Sequence, residues 1–248
     1  MNVLVLRLAA PMQSWGTQSR FSVRDTAREP SKSGVVGLLC AALGRPRNAD
    51  IRDLMALRMS VRIDRDGTLQ RDYHTAGGGK SPDGSDYGVA KANRAKAKPV
   101  VSNRYYLADA DFRVALEGDD LSWLNDLAAA LEHPRWPLYL GRKSFVPAQP
   151  LCRGIHKQTT AAEALSNLEP WFARGAHEQH ASEDGLKLRA LCEVTAGDVQ
   201  KSNAEFEVRQ DVIDRFDSRD FQLRYVRTQW LTLSPELIAE DPSCFCHR

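Results

Sequence analysis

Apolar residues recur along this chain with two different periods, and the changes of period divide it into elements. Residues 3–8 are an apolar run with strand character, followed by a polar, irregular stretch over 9–30. Ser31 or Ser33 stands where a helix N-cap belongs. Val35, Val36, Leu38, Leu39, Ala42 and Leu43 then repeat at helical spacing up to Gly44, which ends the helix. Asp50 caps a shorter helix over 51–57. Residues 59–63 alternate as a strand, Asp66-Gly67 marks a hairpin, and 68–74 run back. Residues 75–99 hold almost no large apolar side chains and are rich in Gly, Lys, Ala and Asp. Strands resume at 100–107 and 112–116. Asp119 or Asp120 caps a helix over 121–131, with Leu121, Leu124, Leu127, Ala128 and Leu131 on one face, and 138–140 reads as the strand after it.

Up to residue 141 the order is β-α-β-β-insertion-β-α-β. This predicts an α+β protein: a ferredoxin-like (RRM-like) domain over residues 1–145, with a long hairpin inserted at about 75–104. A short helix near 160–168 and strand-like runs at 186–194, 206–212 and 221–233 predict a smaller β-rich part over 146–248. The fold says nothing of function by itself.

Charge changes the picture. The net charge is only +2, but residues 1–107 carry 18 Lys and Arg against 9 Asp and Glu, whereas the remainder is acidic, with a net of −7. A basic half fits a polyanion, of which nucleic acid is the commonest; an acidic half fits a polypeptide neighbour or a solvated surface. No apolar run approaches the ~18 residues of a membrane-spanning helix, and the N-terminus lacks the basic start and cleavage site of a signal peptide. Five cysteines, with Cys40 and Cys192 in apolar segments, suggest core thiols in a reduced, cytoplasmic protein. Cys244, Cys246 and His247 are too bunched for a zinc site without a second ligand pair, so neither metal nor cofactor is expected.

The most informative stretch is Leu138-Tyr-Leu-Gly-Arg-Lys-Ser-Phe145. Gly141 permits a sharp turn and close approach of a ligand to the backbone. Arg142, Lys143 and Ser144 follow where exposed amides can meet an anion. Between Glu132 and Glu163 there is no acid, while Arg135, Arg142, Lys143, Arg153 and Lys157 fall there. After the first strand, Gln13 and Ser14 offer hydrogen bonds to a base edge; Trp15 either stacks on a base or plugs the core. Arg20, Arg24, Arg28, Lys32 and Ser33 lead into a helix N-terminus, which favours anions. Arg71 and His74 stand at the root of the insertion, which contributes Lys80, Lys91, Arg94, Lys96, Lys98 and Arg104.

Enzymatic readings are weaker. Gly77-Gly-Gly-Lys-Ser81 lacks the first glycine of a P-loop, since His74 occupies that position, and Pro82 follows in place of a helix. His156 and Lys157 would suit metal-independent RNA cleavage, but neighbours in an extended segment point to opposite faces.

Four blocks carry a resemblance: Leu6-Arg-Leu-Ala-Ala-Pro-Met-Gln-Ser-Trp-Gly16, Pro30-Ser-Lys-Ser-Gly-Val-Val-Gly-Leu-Leu39, Arg71-Asp-Tyr-His-Thr75 and Leu138-Tyr-Leu-Gly-Arg-Lys-Ser144. In that order they resemble the CasD subunits of type I-E CRISPR Cascade, in the RAMP superfamily. The resemblance covers residues 6–144 and weakens beyond about 150. It implies a ferredoxin-like domain with a thumb hairpin, and a non-catalytic role in antiviral defence. Such a subunit caps the complex, holds the 5′ handle of the CRISPR RNA, touches the backbone and large subunits, and meets target DNA only through the complex. A related subtype uses this family as the processing ribonuclease, so metal-independent cleavage of repeat RNA is the alternative. Combined with the charge pattern, the expected RNA-binding set is Gln13, Trp15, Arg20, Arg24, Lys32, Ser33, Arg71, His74, Arg104, Gly141, Arg142, Lys143 and Ser144.

Overall fold

Strand β1 (Asn2–Ala9) has seven consecutive buried residues because it is covered on both faces. Leu4, Leu6 and Leu8 face the larger hydrophobic core, which holds the helices; Val3 and Val5 face a second, smaller one. In the computed structural model, residues 1–16, 22–85, 88, 89, 98–173, 185–195, 197, 205–218 and 220–240 are described.

Two two-residue strands follow, β2 (Met12–Gln13) and β3 (Val23–Arg24). Helix α1 (Lys32–Leu43) starts at Ser31, whose hydroxyl accepts from the Gly34 amide, and stops at Gly44 in a left-handed conformation. The short α2 (Arg52–Met55) leads into β4 (Arg58–Arg65). Then come β5 (Thr68–Ala76), β6 (Val100–Ala108), β7 (Asp111–Gly118) and α3 (Leu121–Glu132), which is capped by Asp120. β8 (Cys152–Lys157), α4 (Ala161–Glu163), a π-helical turn, β9 (Trp171–Ala173) and β10 (Leu186–Val194) follow. β11 (Glu207–Ile213), β12 (Phe221–Leu233), a 3-10 turn (Pro235–Leu237) and β13 (Ile238–Glu240) complete the elements among the described residues.

The molecule is a mixed α/β protein with mostly antiparallel sheets. The main sheet has seven strands in the order β11-β12-β10-β4-β7-β1-β8. β10 joins β4 antiparallel through Ala190, Leu191 and Cys192, so the C-terminal strands extend the sheet that β1 begins. α1 and α3 pack on one face. The segment from α4 to β9 covers the other, with Ala161, Ala164, Leu165 and Trp171 in the smaller core.

Two expectations about strands are corrected. Residues 138–140 are not a strand; the fourth strand of the β4-β7-β1-β8 block is β8, beside β1. Asp66-Gly67 does not close a hairpin between β4 and β5 either. β4 pairs with β7 and β5 with β6, so the chain bends there out of one sheet into the next. Gly67 is required at the bend: its φ is +71°, and a Cβ would lie 2.7 Å from the Ala108 carbonyl oxygen.

The polar positions of the central strands are not solvent-facing. Arg7, Arg113 and Arg62 stand in register across β1, β7 and β4, each almost wholly buried. Asp111 accepts from Arg7 at 2.7 Å and from Arg113 at 3.0 Å, while Asp64 lies 2.6 Å from Arg62. Arg62 also donates to the carbonyls of Leu165, Glu169 and Pro170, and Phe172 stacks beneath Arg7 and Arg113. Buried like charges are tolerable only with such extensive pairing.

Candidate nucleic-acid interface

The loop carrying Arg142 is locked in place before any ligand enters. The Ser14 amide donates to the Leu140 carbonyl at 3.0 Å, and Leu140 N–H donates to the Phe145 carbonyl at 2.8 Å. Gly141 has φ +97°, and a Cβ there would collide with the Ser14 backbone. The close approach expected of Gly141 is therefore to its own chain. Beyond it, the Arg142 guanidinium donates to the Tyr105 carbonyl at 2.7 Å and lies 5.2 Å over the Phe145 ring. Burial lowers the Arg142 pKa from its ordinary value, and the charges of Arg104 and Arg24 act the same way. The two arginines add an excess of positive charge here, which Asp72 partly offsets.

The excess comes from strand register. β3 lies parallel to β6 with Arg24 opposite Arg104, and Arg142 reaches the same place from the 138–145 loop. These arginines open onto a cleft of about 650 Å³, bounded also by Ser33, Gly34, Arg47 and Phe216. Arg104 and Arg142 line a second recess as well, of about 450 Å³, with Arg71, His74 and Ser144. The two recesses thus share their cations and run from the start of α1 to the root of the β5–β6 hairpin. Among the described residues, none of Arg24, Arg47, Arg104 or Arg142 forms an ion pair, although Asp25 lines the first recess and Asp72, opposite Arg104 in register, lines the second. Such unpaired cations fit an anionic polymer.

Of the expected set, Trp15, Arg24, Ser33, Arg71, His74, Arg104, Gly141, Arg142 and Ser144 line these recesses, Trp15 only at the floor. Lys143 is exposed beside them and lines neither. Arg20 lies outside the described residues, as do Lys91, Arg94 and Lys96 of the insertion and the Cys244-Phe-Cys-His247 segment.

Three residues are corrected. Gln13 is fully buried; its amide donates to the carbonyls of Leu8 and Ala110, and its oxygen accepts from the Trp15 indole. Trp15 is 2% exposed and packs against Gly34, so it plugs the core beneath the cleft. Lys32 is turned inward, its ammonium 2.8 Å from Glu193, with burial lowering its pKa. Its backbone amide donates to Asp211 at 2.7 Å, so part of the helix N-terminus is already satisfied internally.

Among the lining residues outside the expected set are Arg47 and Phe216. Arg47 follows the Gly44 cap, and Phe216 sits in the β11–β12 turn. An aromatic residue between two strand runs was the only available signal for Phe216, and it says nothing of where the turn lands. His156 stands apart from both recesses: its Nε2 is 2.8 Å from the Glu169 carboxylate, and Lys157 follows it on strand β8. Among the described residues no group of three His, Cys, Asp or Glu is placed to hold a metal ion, and no helix is long and apolar enough to cross a membrane.

Comparison with known proteins gives a consistent set of relatives. The CasD subunit of the CRISPR system Cascade of Escherichia coli (strain K12) is 36% identical, over 75% of this chain and 86% of its own. A chain of a CRISPR RNA-guided surveillance complex superposes with a TM-score of 0.77 at 31% identity, covering 97% of this chain and 94% of that one. The crystal structure of a Cas protein matches with a TM-score of 0.68 at 37% identity, over 97% of this chain and 99% of the other. The profile of the family described as CRISPR-associated protein (Cas_Cas5) matches residues 3–228, and the chain belongs to that family.

Proposed function

We propose that this protein is a non-catalytic RNA-binding subunit of a type I-E CRISPR surveillance complex (Cascade), capping the complex and holding the 5′ handle of the CRISPR RNA in antiviral defence. One observation carries the reading. Arg24, Arg47, Arg104 and Arg142, from four separate segments, converge on one open cleft, outnumber its one carboxylate, Asp25, and form no ion pair among the described residues. A backbone that must be gripped without being cut needs such cations. The similarity to CasD supplies the identity of the polyanion.

The strand order β4-β7-β1-β8, with α1 and α3 on one face, supports a ferredoxin-like reading whose fourth strand comes from residues 152–157, beyond the expected boundary at 145, and the paired β5–β6 extension supports its thumb. On this reading residues 1–145 supply the cations that hold the RNA and the thumb meets the backbone subunit. The acidic region over 146–248 provides contacts to other subunits, including the large one, and target DNA is met only through the complex. The protein works in the cytoplasm, with no cofactor.

The ribonuclease alternative finds little support in the geometry. His156 is held by Glu169, and strand alternation turns the Lys157 side chain away from it. The test is one gel of purified protein with labelled CRISPR repeat RNA, with and without EDTA. Retention of intact RNA, lost when Arg142→Ala and Lys143→Ala are combined, is the expected result. Cleavage that persists in EDTA and disappears with His156→Ala would overturn it.

A further inference from the structure

One wall of the arginine-lined cleft comes from the far end of the chain. The turn between β11 and β12 carries Phe216 onto α1. There its Cζ lies 3.5 Å from the position a Cβ would take at Gly37, and no other atom of the ring is within 4 Å of that point. The ring thus touches the helix through its tip, and it also packs in part against the main hydrophobic core. Phe216 is half-buried and lines the cleft near Arg47. Among the described residues it has no stacking, edge-on or cation–π partner. Arg47 is exposed and equally free.

Phosphates alone would be held by the cations and have no use for an aromatic wall. A half-exposed ring and a free guanidinium lining one cationic cleft are groups on which single-stranded nucleic acids stack their bases and rest their phosphates. We propose that Phe216 is a stacking platform for one unpaired base of the bound RNA, with Arg47 on an adjoining phosphate. This rests on the RNA-binding reading above and adds to it a base-level contact, contributed by the C-terminal region.

The experiment measures affinity of the full chain for labelled repeat RNA and for a set of the same RNA, each with a single abasic position. Four proteins are compared: wild type, Phe216→Ala, Phe216→Leu and Phe216→Tyr. Phe216→Leu keeps apolar bulk on Gly37 without a π face, and Phe216→Tyr keeps the ring. The expected result is a roughly 5- to 100-fold loss for the alanine and leucine variants, with tyrosine close to wild type. One abasic position should cost wild type a similar factor and cost Phe216→Leu nothing further. The dependence on salt should be unchanged in Phe216→Leu, because no phosphate contact is removed. Equal affinity of wild type and Phe216→Leu, or a loss with no abasic position falling silent, would overturn the platform and leave the RNA-binding reading standing. A wild-type chain that does not retain the RNA would overturn both.

Discussion

The carbonyl oxygen of Ser14 occupies the space that a side chain at position 141 would need: a Cβ on Gly141 would lie 1.8 Å from it. The two loops are further tied by the Ser14 N–H bond to Leu140. Gly141→Ala must break this contact and also adopt φ +97°, which disfavours any L side chain. We expect a loss of at least about 2 kcal/mol in stability. A weakened grip on RNA should accompany it, since Arg142 follows directly. Thermal denaturation beside a binding titration checks this; an alanine variant that melts with wild type would show that the loops are not locked.

Arg142→Lys should behave as a loss, not as a conservative change. The guanidinium both donates to the Tyr105 carbonyl and lies over the Phe145 ring, and an ammonium reproduces that planar geometry poorly. Binding to repeat RNA should fall for all sequences alike. For Arg104→Ala the slope of log affinity against log salt should decrease by about 0.7, the value for one phosphate contact on a single strand. Unaltered slopes would remove these arginines from the interface.

Lys32 separates a structural cation from a binding one. Its ammonium pairs with Glu193 inside the protein, and Arg224 lies 3.7 Å from the same carboxylate. Lys32→Met leaves that carboxylate short of a partner, at a cost of about 3–5 kcal/mol, and adding Glu193→Met should recover much of it. The salt dependence of RNA binding should not change in either variant. Denaturation curves and the titration together decide whether Lys32 is as inward in solution.

Cys40 gives an alkaline signature. Burial in the α1 core raises its thiol pKa from 9.0 to about 11. The raised folded pKa makes its contribution complete below pH 9, and it is lost as pH rises through 11, because the unfolded chain releases the proton first. Lys32, with a lowered pKa, works in the opposite sense, so the wild-type profile is a sum. The Cys40→Ala variant should be less stable at neutral pH, yet its stability should fall less steeply between pH 9 and 11, which urea denaturation at stepped pH would measure.

The helices were readable because their signals are local. Ser31 and Asp120 cap them through bonds to amides three residues on, and Gly44 supplies the left-handed stop. β8 was hidden for the converse reason. Cys152-Arg-Gly-Ile-His-Lys157 has little apolar content, because an edge strand borrows its order from β1. Leu138 and Leu140 are apolar for a different cause: they pack against the main core from a loop. For the site, type and spacing put Arg142, Arg104 and Arg24 in one expected set, and the fold brings the three to one cleft. It misplaced Gln13, Trp15 and Lys32, since a polar or aromatic residue next to a basic run has the same spelling whether it points in or out.

What the sequence by itself determined is everything that depends on neighbours along the chain: the capped helices, the apolar run of β1, the split of charge between halves and the four family-specific blocks. Tertiary structure alone decided which cations are free. Arg7, Arg62 and Arg113 are buried with Asp64 and Asp111 under the α4–β9 segment, whereas Arg24, Arg47, Arg104 and Arg142 are not paired with any acid among the described residues. It also brought Phe216 across from the C-terminal strands to the same cleft. The physical reason is that a charge is defined energetically by its surroundings. Burial and pairing are properties of contacts between residues distant in sequence, and no local pattern encodes them.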